Sequence, residues 1–91
     1  MAAGTRPGRN RRAYLPLEYT VWVQLEEHGH EETPVEVVAS YYPETGLLEV
    51  TGVFGDDGLE CSSRVVSTSW AAIEATGYHW AHQLVAREQE A

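Results

Sequence analysis

The densest group of side chains capable of chemistry lies in the polar segment 26–32, with the sequence EEHGHEE. Its two imidazoles, His28 and His30, stand among four glutamates, and imidazole nitrogen with carboxylate oxygen suits zinc or nickel. A solvated loop is the simpler interpretation, because a metal site also needs fixed geometry and supporting hydrogen bonds. A metal-binding sensor or enzyme at His28/His30 is therefore one alternative function.

Three further residues are of types that could take part in chemistry. For each of them, an ordinary structural role is the simpler interpretation. His79 and His82 are three residues apart on a predicted helix, but they lie away from its apolar stripe and no thiol or carboxylate nearby in sequence completes a ligand set. We predict that both are exposed. Cys61 alternates with apolar residues on the inner side of a predicted strand, where a thiol behaves as a small unreactive hydrophobe.

Motifs of the common enzyme classes are missing from the 91 residues, which contain no GxGxxG, P-loop, GxSxG or CxxC pattern. We therefore predict a protein that is not an enzyme and has no cofactor and no metal site. A single cysteine excludes an internal disulfide, and no segment approaches the roughly 20 apolar residues of a membrane span. These features favour a cytoplasmic protein.

Charge divides the chain into two parts. Residues 1–16 carry four arginines and no acid, a charge of +4, whereas residues 17–91 carry all fourteen Asp and Glu against two arginines, a charge of −12. We predict a disordered basic leader over 1–16 and one α+β domain over 17–91. The acidic domain should repel nucleic acids and anionic membranes, so direct nucleic-acid binding is disfavoured and a basic protein is the expected partner.

Alternation of apolar and polar residues with period two predicts four strands. They cover residues 19–25, 35–42, 47–54 and 59–66. Turn sequences at 43–46 and at Asp57-Gly58 separate the later strands. The resulting prediction is a four-stranded antiparallel meander, in which Arg64 on the fourth strand lies opposite or diagonal to Glu49 on the third.

A helix from about Trp70 to about Glu88 follows the strands, with cap hydroxyls in Ser67-Thr68-Ser69. Its apolar stripe comprises Trp70, Ile73, Gly77, Trp80, Ala81 and Leu84. Gly77 is costly in mid-helix, which indicates a close approach of the helix to a strand. The predicted fold is therefore ββββα, with the single helix packed on one face of the sheet.

The other face of the predicted sheet is left uncovered, and it is unusually apolar for a small protein. Its predicted partner-binding residues are Trp22, Val38, Tyr42, Leu47 and Val53 together with Glu36 and Glu49. Apolar surfaces of this kind often mark protein interfaces. Two occupants remain open, namely a homodimer with two sheets packed back to back and a foreign partner.

In its size, its acidity and its lack of catalytic motifs, the chain resembles accessory proteins of phages and mobile elements, including anti-CRISPR proteins and other host-directed inhibitors. That resemblance rests on size and charge. It implies a protein-binding inhibitor that mimics nucleic-acid charge and engages a host protein that handles nucleic acids. The basic leader indicates another alternative function, a nucleic-acid accessory protein that binds through its arginine tail, Arg6 to Arg12.

Overall fold

A computed structural model describes residues 14–90, which form one antiparallel sheet and a C-terminal helix. The strands β1 (Leu15–Gln24), β2 (Glu32–Tyr42) and β3 (Leu47–Phe54) follow in chain order, with β2 in the middle. The helix α1 (Ser67–Glu90) covers one face of the sheet. The predicted α+β class and the C-terminal helix are confirmed. The arginine tail lies outside the described residues.

The inner face of the sheet is built by alternate residues, as the period-two pattern predicted. On β1 and β2 its buried residues are Leu17, Tyr19, Val21, Val23, Val35, Val37, Ala39 and Tyr41. The predicted turn between β2 and β3 is also present, since the backbone N–H of Gly46 donates to the Tyr42 carbonyl at 2.7 Å and Gly46 has φ +73°. This left-handed conformation suits glycine.

The predicted fourth strand, 59–66, is wrong. The chain does turn before it, with Gly58 at φ +79°, but through a three-residue loop in which the N–H of Gly55 donates to the Leu59 carbonyl at 3.1 Å, and the predicted two-residue hairpin loop is wrong. Glu60 then bridges back to Phe54. The Glu60 carboxylate accepts a hydrogen bond from the N–H of Val53 at 3.0 Å, so a side chain occupies a donor that a fourth strand would need. Leu59, which strand alternation would place on the same inner side as Cys61, is 64% exposed.

The N–H of Cys61 still donates to the Val53 carbonyl at 2.8 Å, but after Cys61 the chain leaves β3 and crosses the end of the sheet towards β1. A short 3-10 helix over Ser62–Arg64 redirects the chain, and Val65 then bridges to Leu25. Arg64 therefore forms an ion pair with Glu27, and the predicted pair with Glu49 is wrong.

A β-bulge in β3 changes which of its residues face the core. Val38 pairs with Gly52 while the next residue, Ala39, pairs with Val50, so Thr51 is the extra residue. One inserted residue moves all later side chains to the opposite face. The bulge places Val53 in the core at 0% exposure, so its predicted position on the outer face is wrong.

Helix α1 crosses the sheet diagonally and binds both of its edges. Near its start, Ser69 Oγ accepts from the N–H of Gln24 on β1 at 2.8 Å; further along, Tyr78 Oη accepts from the N–H of Leu48 on β3 at 3.1 Å. Ser69 is only 7% exposed, so the hydrogen bond that links the helix to β1 is largely shielded from solvent. No helix in the described part of the chain is long and apolar enough to span a membrane.

The closest contact between helix and sheet is at Gly77. A Cβ built on Gly77 would overlap the Tyr19 hydroxyl and lie 2.6 Å from Leu48 Cδ2. The predicted close approach is confirmed. Of the predicted apolar stripe, Ile73 and Ala81 are fully buried, whereas Trp80 is 44% exposed.

Candidate functional site on the outer face

The face of the sheet opposite α1, here called the outer face, is formed by the alternate residues of the three strands. Strand pairing arranges its side chains in rows across the sheet, and the central row contains Thr20, Glu36 and Phe54. One neighbouring row contains Trp22 beside Pro34, and the opposite end of the sheet has Tyr42 beside Leu47. The predicted residues other than Val53 lie on one continuous surface.

Large apolar side chains are exposed at two ends of this face. Trp22 is 61% exposed on β1 and Leu47 is 60% exposed on β3. At the Leu47 end, the ring of Tyr42 lies 5.9 Å from that of Tyr14, which is itself 42% exposed. Tryptophan and tyrosine are enriched among the few residues that supply most of the binding energy at protein interfaces. Tyr14 was missed because it fell within the predicted leader, although β1 continues outwards to Leu15.

Phe54 is the second outer-face residue that the sequence did not identify. The bulge turns Phe54 outwards, and its ring lies over Gly52, where an added Cβ would be 2.7 Å from Phe54 Cε2. Beside this ring is a shallow depression of about 230 Å³. Its charged lining residues are Glu36 and Asp56. An aromatic ring next to two carboxylates suits an arginine or lysine side chain.

Three carboxylates, Glu18, Glu36 and Glu49, lie among the apolar side chains of the outer face. Thr20 donates to Glu36 at 3.1 Å, and Tyr42 donates to Glu49 at 3.2 Å. Desolvation, followed by this hydrogen bond to Glu49, raises the pKa of the Tyr42 hydroxyl. These hydrogen bonds hold the carboxylates of Glu36 and Glu49 in place on the surface.

Positive charge is absent from the described part of the outer face. The two arginines within residues 14–90 are Arg64, which is paired with Glu27, and Arg87, which is on α1. The outer face is therefore apolar and acidic, and its complement is an apolar surface that carries basic groups.

The four histidines lie in two pairs on different elements of the fold. His28 and His30 are exposed in the loop after β1, and His79 and His82 are exposed on α1. His82 lies against the ring of Tyr41, with the ring centres 5.8 Å apart. Within residues 14–90 there is no group of three His, Cys, Asp or Glu side chains that could hold a metal ion.

Cys61 is buried, as predicted, at 1% exposure. Burial raises the pKa of its thiol, although the nearby Arg64 acts in the opposite direction. A higher pKa leaves less of the reactive thiolate at neutral pH. This environment is that of a core residue.

Comparison with known proteins gives no relative from which to transfer a function: no family model, curated protein or solved structure matches the chain.

Proposed function

We propose that this chain is a non-enzymatic protein-binding module whose outer face docks on a basic partner protein. The observation that carries the proposal is the composition of that face, where exposed Trp22 and Leu47 accompany three glutamates. Apolar anchors supply affinity, while acidic groups select partners and steer association.

The depression beside Phe54 gives the proposal a specific contact. A basic side chain of the partner would enter between Glu36 and Asp56 and lie against the Phe54 ring. The depression has a volume of about 230 Å³, below the usual 300–1,000 Å³ of small-molecule sites, but it can accept one side chain. A protein that presents an arginine beside an apolar patch is the partner that fits.

The same charges oppose packing of two outer faces against each other. A back-to-back homodimer would bring Glu18, Glu36 and Glu49 of one copy towards those of the other, without an arginine in the described part of the face to neutralise them. Burial of unpaired like charges costs several kcal/mol. Of the two occupants left open by the sequence, this favours the foreign partner.

The biological role that we propose is inhibition of a host protein that handles nucleic acids. This extension rests on the resemblance to phage and mobile-element accessory proteins in size and charge. Proteins that bind nucleic acid expose arginine and lysine for phosphate contacts, and an acidic face could occupy those groups.

The test is an affinity capture from cell extract with three baits: the wild type, Trp22→Ala and Trp80→Ala. Trp80 is the matched control because it is an exposed tryptophan on α1, at 44% exposure. We expect wild type and Trp80→Ala to retain the same basic proteins at low salt, and Trp22→Ala to weaken binding to each purified protein by about tenfold or more.

Binding should also weaken as salt rises, because exposed charges are screened over about 8 Å at physiological ionic strength. Replacing Glu36 with Gln should reduce this salt dependence. Equal recovery of partners by the Trp22→Ala and Trp80→Ala baits would show that the outer face is not the docking surface.

A further inference from the structure

The two edges of the sheet differ in whether their backbone groups are occupied. Both ends of the β3 edge are occupied: the N–H of Leu48 donates to Tyr78 at 3.1 Å, and the N–H of Val53 donates to Glu60 at 3.0 Å. The Val53 carbonyl also accepts from the N–H of Cys61 at 2.8 Å. The bulge interrupts the edge between these ends. Side-chain acceptors and bulges commonly prevent an edge strand from pairing with another strand, so the β3 edge is closed to an added strand.

The direction of the backbone groups on the other edge, that of β1, follows from Gln24. Its N–H donates to Ser69 at 2.8 Å and its carbonyl accepts from the N–H of Val66 at 3.1 Å, so both groups point away from β2. In an antiparallel strand this direction repeats at every second residue. Three further residues of β1 therefore form an open stretch, here called the β1 edge: Glu18, Thr20 and Trp22.

The β1 edge is short and has defined ends. Among residues 14–90, the backbone groups of its three residues have no hydrogen-bond partner, which leaves three donors and three acceptors. On one side the series ends at Pro16, which has no N–H. On the other side it ends at Gln24, where Val66 of the same chain already fills the edge. The β1 edge can therefore accept an extended segment of about five residues, level with 18–22.

A second copy of β1 does not fit this edge. If Thr20 lay on a twofold axis, strand β1 of the second copy would run into Val65 and Val66. Moving the axis to Glu18 clears that overlap, but it pairs two glutamates directly and sets Pro16, which has no N–H, opposite Thr20. The occupant that fits is a short extended segment of another protein.

The side chains beside the β1 edge indicate the chemistry of that segment. Glu18, Thr20 and Trp22 are exposed on the outer face, so an added strand would extend this face, with alternate side chains next to these three. A basic side chain opposite Glu18 forms a favourable cross-strand pair, and an arginine opposite Trp22 can lie on its ring. Because the described part of the outer face has no arginine of its own, the segment that complements it is basic at alternate residues.

We propose that the partner of the outer face contributes a basic extended segment that pairs antiparallel with the β1 edge and becomes a fourth strand of the sheet. Antiparallel pairing joins directly opposite residues, so the first, third and fifth residues of the segment lie opposite Trp22, Thr20 and Glu18 and form six hydrogen bonds with them. The segment leaves the sheet at Gln24, which is already bonded, and at Pro16. This inference rests on the proposed function, because it specifies how the same partner is recognised.

The first test uses a probe segment, the acetylated and amidated peptide Arg-Val-Thr-Val-Arg, titrated into the isotope-labelled full chain and followed by NMR. We expect the amide proton signals of Glu18, Thr20 and Trp22 to move downfield and their exchange with water to slow by about threefold or more, because these N–H groups become hydrogen-bonded. No change in the three signals at about 5 mM peptide would overturn the proposal, since binding would then be too weak for specific recognition.

Methylated peptides separate strand pairing from charge attraction. A methyl group on the nitrogen of the central threonine removes the donor to the Thr20 carbonyl, so the dissociation constant should rise by about tenfold or more. The matched control has the methyl group on the nitrogen of the second residue, whose N–H points away from β1, and it should bind like the parent peptide. Equal binding of the two methylated peptides would exclude pairing with the β1 edge.

The second test distinguishes this inference from the proposed function. Proteins captured by the wild type are purified and their binding to Thr20→Pro, Thr20→Val and Trp22→Ala is measured. Both Thr20 variants lose the hydroxyl that donates to Glu36, but only Thr20→Pro also loses the backbone donor. We expect Thr20→Pro to bind about tenfold or more weakly than Thr20→Val.

Two outcomes of this second test contradict different claims. If Thr20→Pro is folded by circular dichroism and binds like Thr20→Val while Trp22→Ala still weakens binding, the outer face docks the partner but the β1 edge does not. If all three variants bind like the wild type, the proposed function fails as well. The peptide experiments decide the matter if proline unfolds the chain.

Discussion

The two faces of the sheet use neighbouring residues of the same strands for different purposes. On the inner face, Val23, Val37 and Val53 are 0% exposed, whereas on the outer face Trp22 and Leu47 are about 60% exposed. Burial of apolar area on the inner face supplies the stability of the fold. The outer face contributes little to stability and retains its apolar area for a partner. A substitution should therefore affect either folding or binding, depending on the face that it occupies.

The largest effect on folding is expected from Gly77→Val, which tests the packing of the helix on the inner face. The new side chain would overlap the Tyr19 hydroxyl and Leu48, and displacement of the helix would expose the inner face. We expect a loss of about 3 kcal/mol in the free energy of unfolding, measured by urea denaturation.

Ala75→Val is the matched control because Ala75 is exposed on the same helix. It should cost only the difference in helix propensity, below about 1 kcal/mol. Equal losses for the two variants would mean that the helix does not pack closely on the sheet at Gly77.

Adjacent valines on β2 provide a direct comparison of the faces. Val37 is fully buried on the inner face, whereas Val38 is only half-buried on the outer face. Val37→Ala should lower the free energy of unfolding by about 2 kcal/mol, and Val38→Ala by less than about 1 kcal/mol. Thermal and urea denaturation of the pair measure the difference. Similar losses would show that both faces contribute to the core, which would remove the basis for separating folding from binding.

The smallest effect at neutral pH is expected from Tyr19→Phe. The Tyr19 hydroxyl donates to the Ile73 carbonyl at 2.9 Å, so its removal should cost about 1 kcal/mol. Burial, with a smaller contribution from Glu74, raises the pKa of Tyr19 from 10.0 to about 12. The folded state therefore favours the protonated hydroxyl, and its contribution is complete below pH 10 and is lost as the pH rises towards 12.

Stability of the wild type should accordingly fall between these pH values more steeply than that of Tyr19→Phe. Unfolding curves at neutral and alkaline pH measure this, with Tyr14→Phe on the outer face as the control. If both variants show the same alkaline loss as wild type, the Tyr19 hydroxyl is not the group responsible.

Local periodicity was sufficient to predict three strands, the helix and the close contact at Gly77. It failed where backbone groups bind side chains, since no pattern shows that Glu60 accepts from Val53 and so prevents a fourth strand. It also failed at Thr51, because alternation alone does not indicate an inserted residue.

The failure at Thr51 explains the errors that concern β3 in the candidate site. Strict alternation along β3 places Val53 on the outer face and Phe54 on the inner face, and the bulge reverses both positions. Trp22, Val38, Tyr42 and Leu47 precede the bulge or lie on other strands, so their positions followed from alternation.

The bulge at Thr51 divides β3 into two parts in which the alternation of inward and outward side chains follows different frames. Before it, even-numbered residues such as Leu48 contribute to the core; after it, the odd-numbered Val53 does. If Thr51 were paired in a regular ladder, without the bulge, β3 would keep a single frame that places Phe54 under the helix and Val53 at the surface. The aromatic wall of the acidic depression would then disappear. One backbone irregularity thus determines both how the core closes and what the opposite surface can recognise.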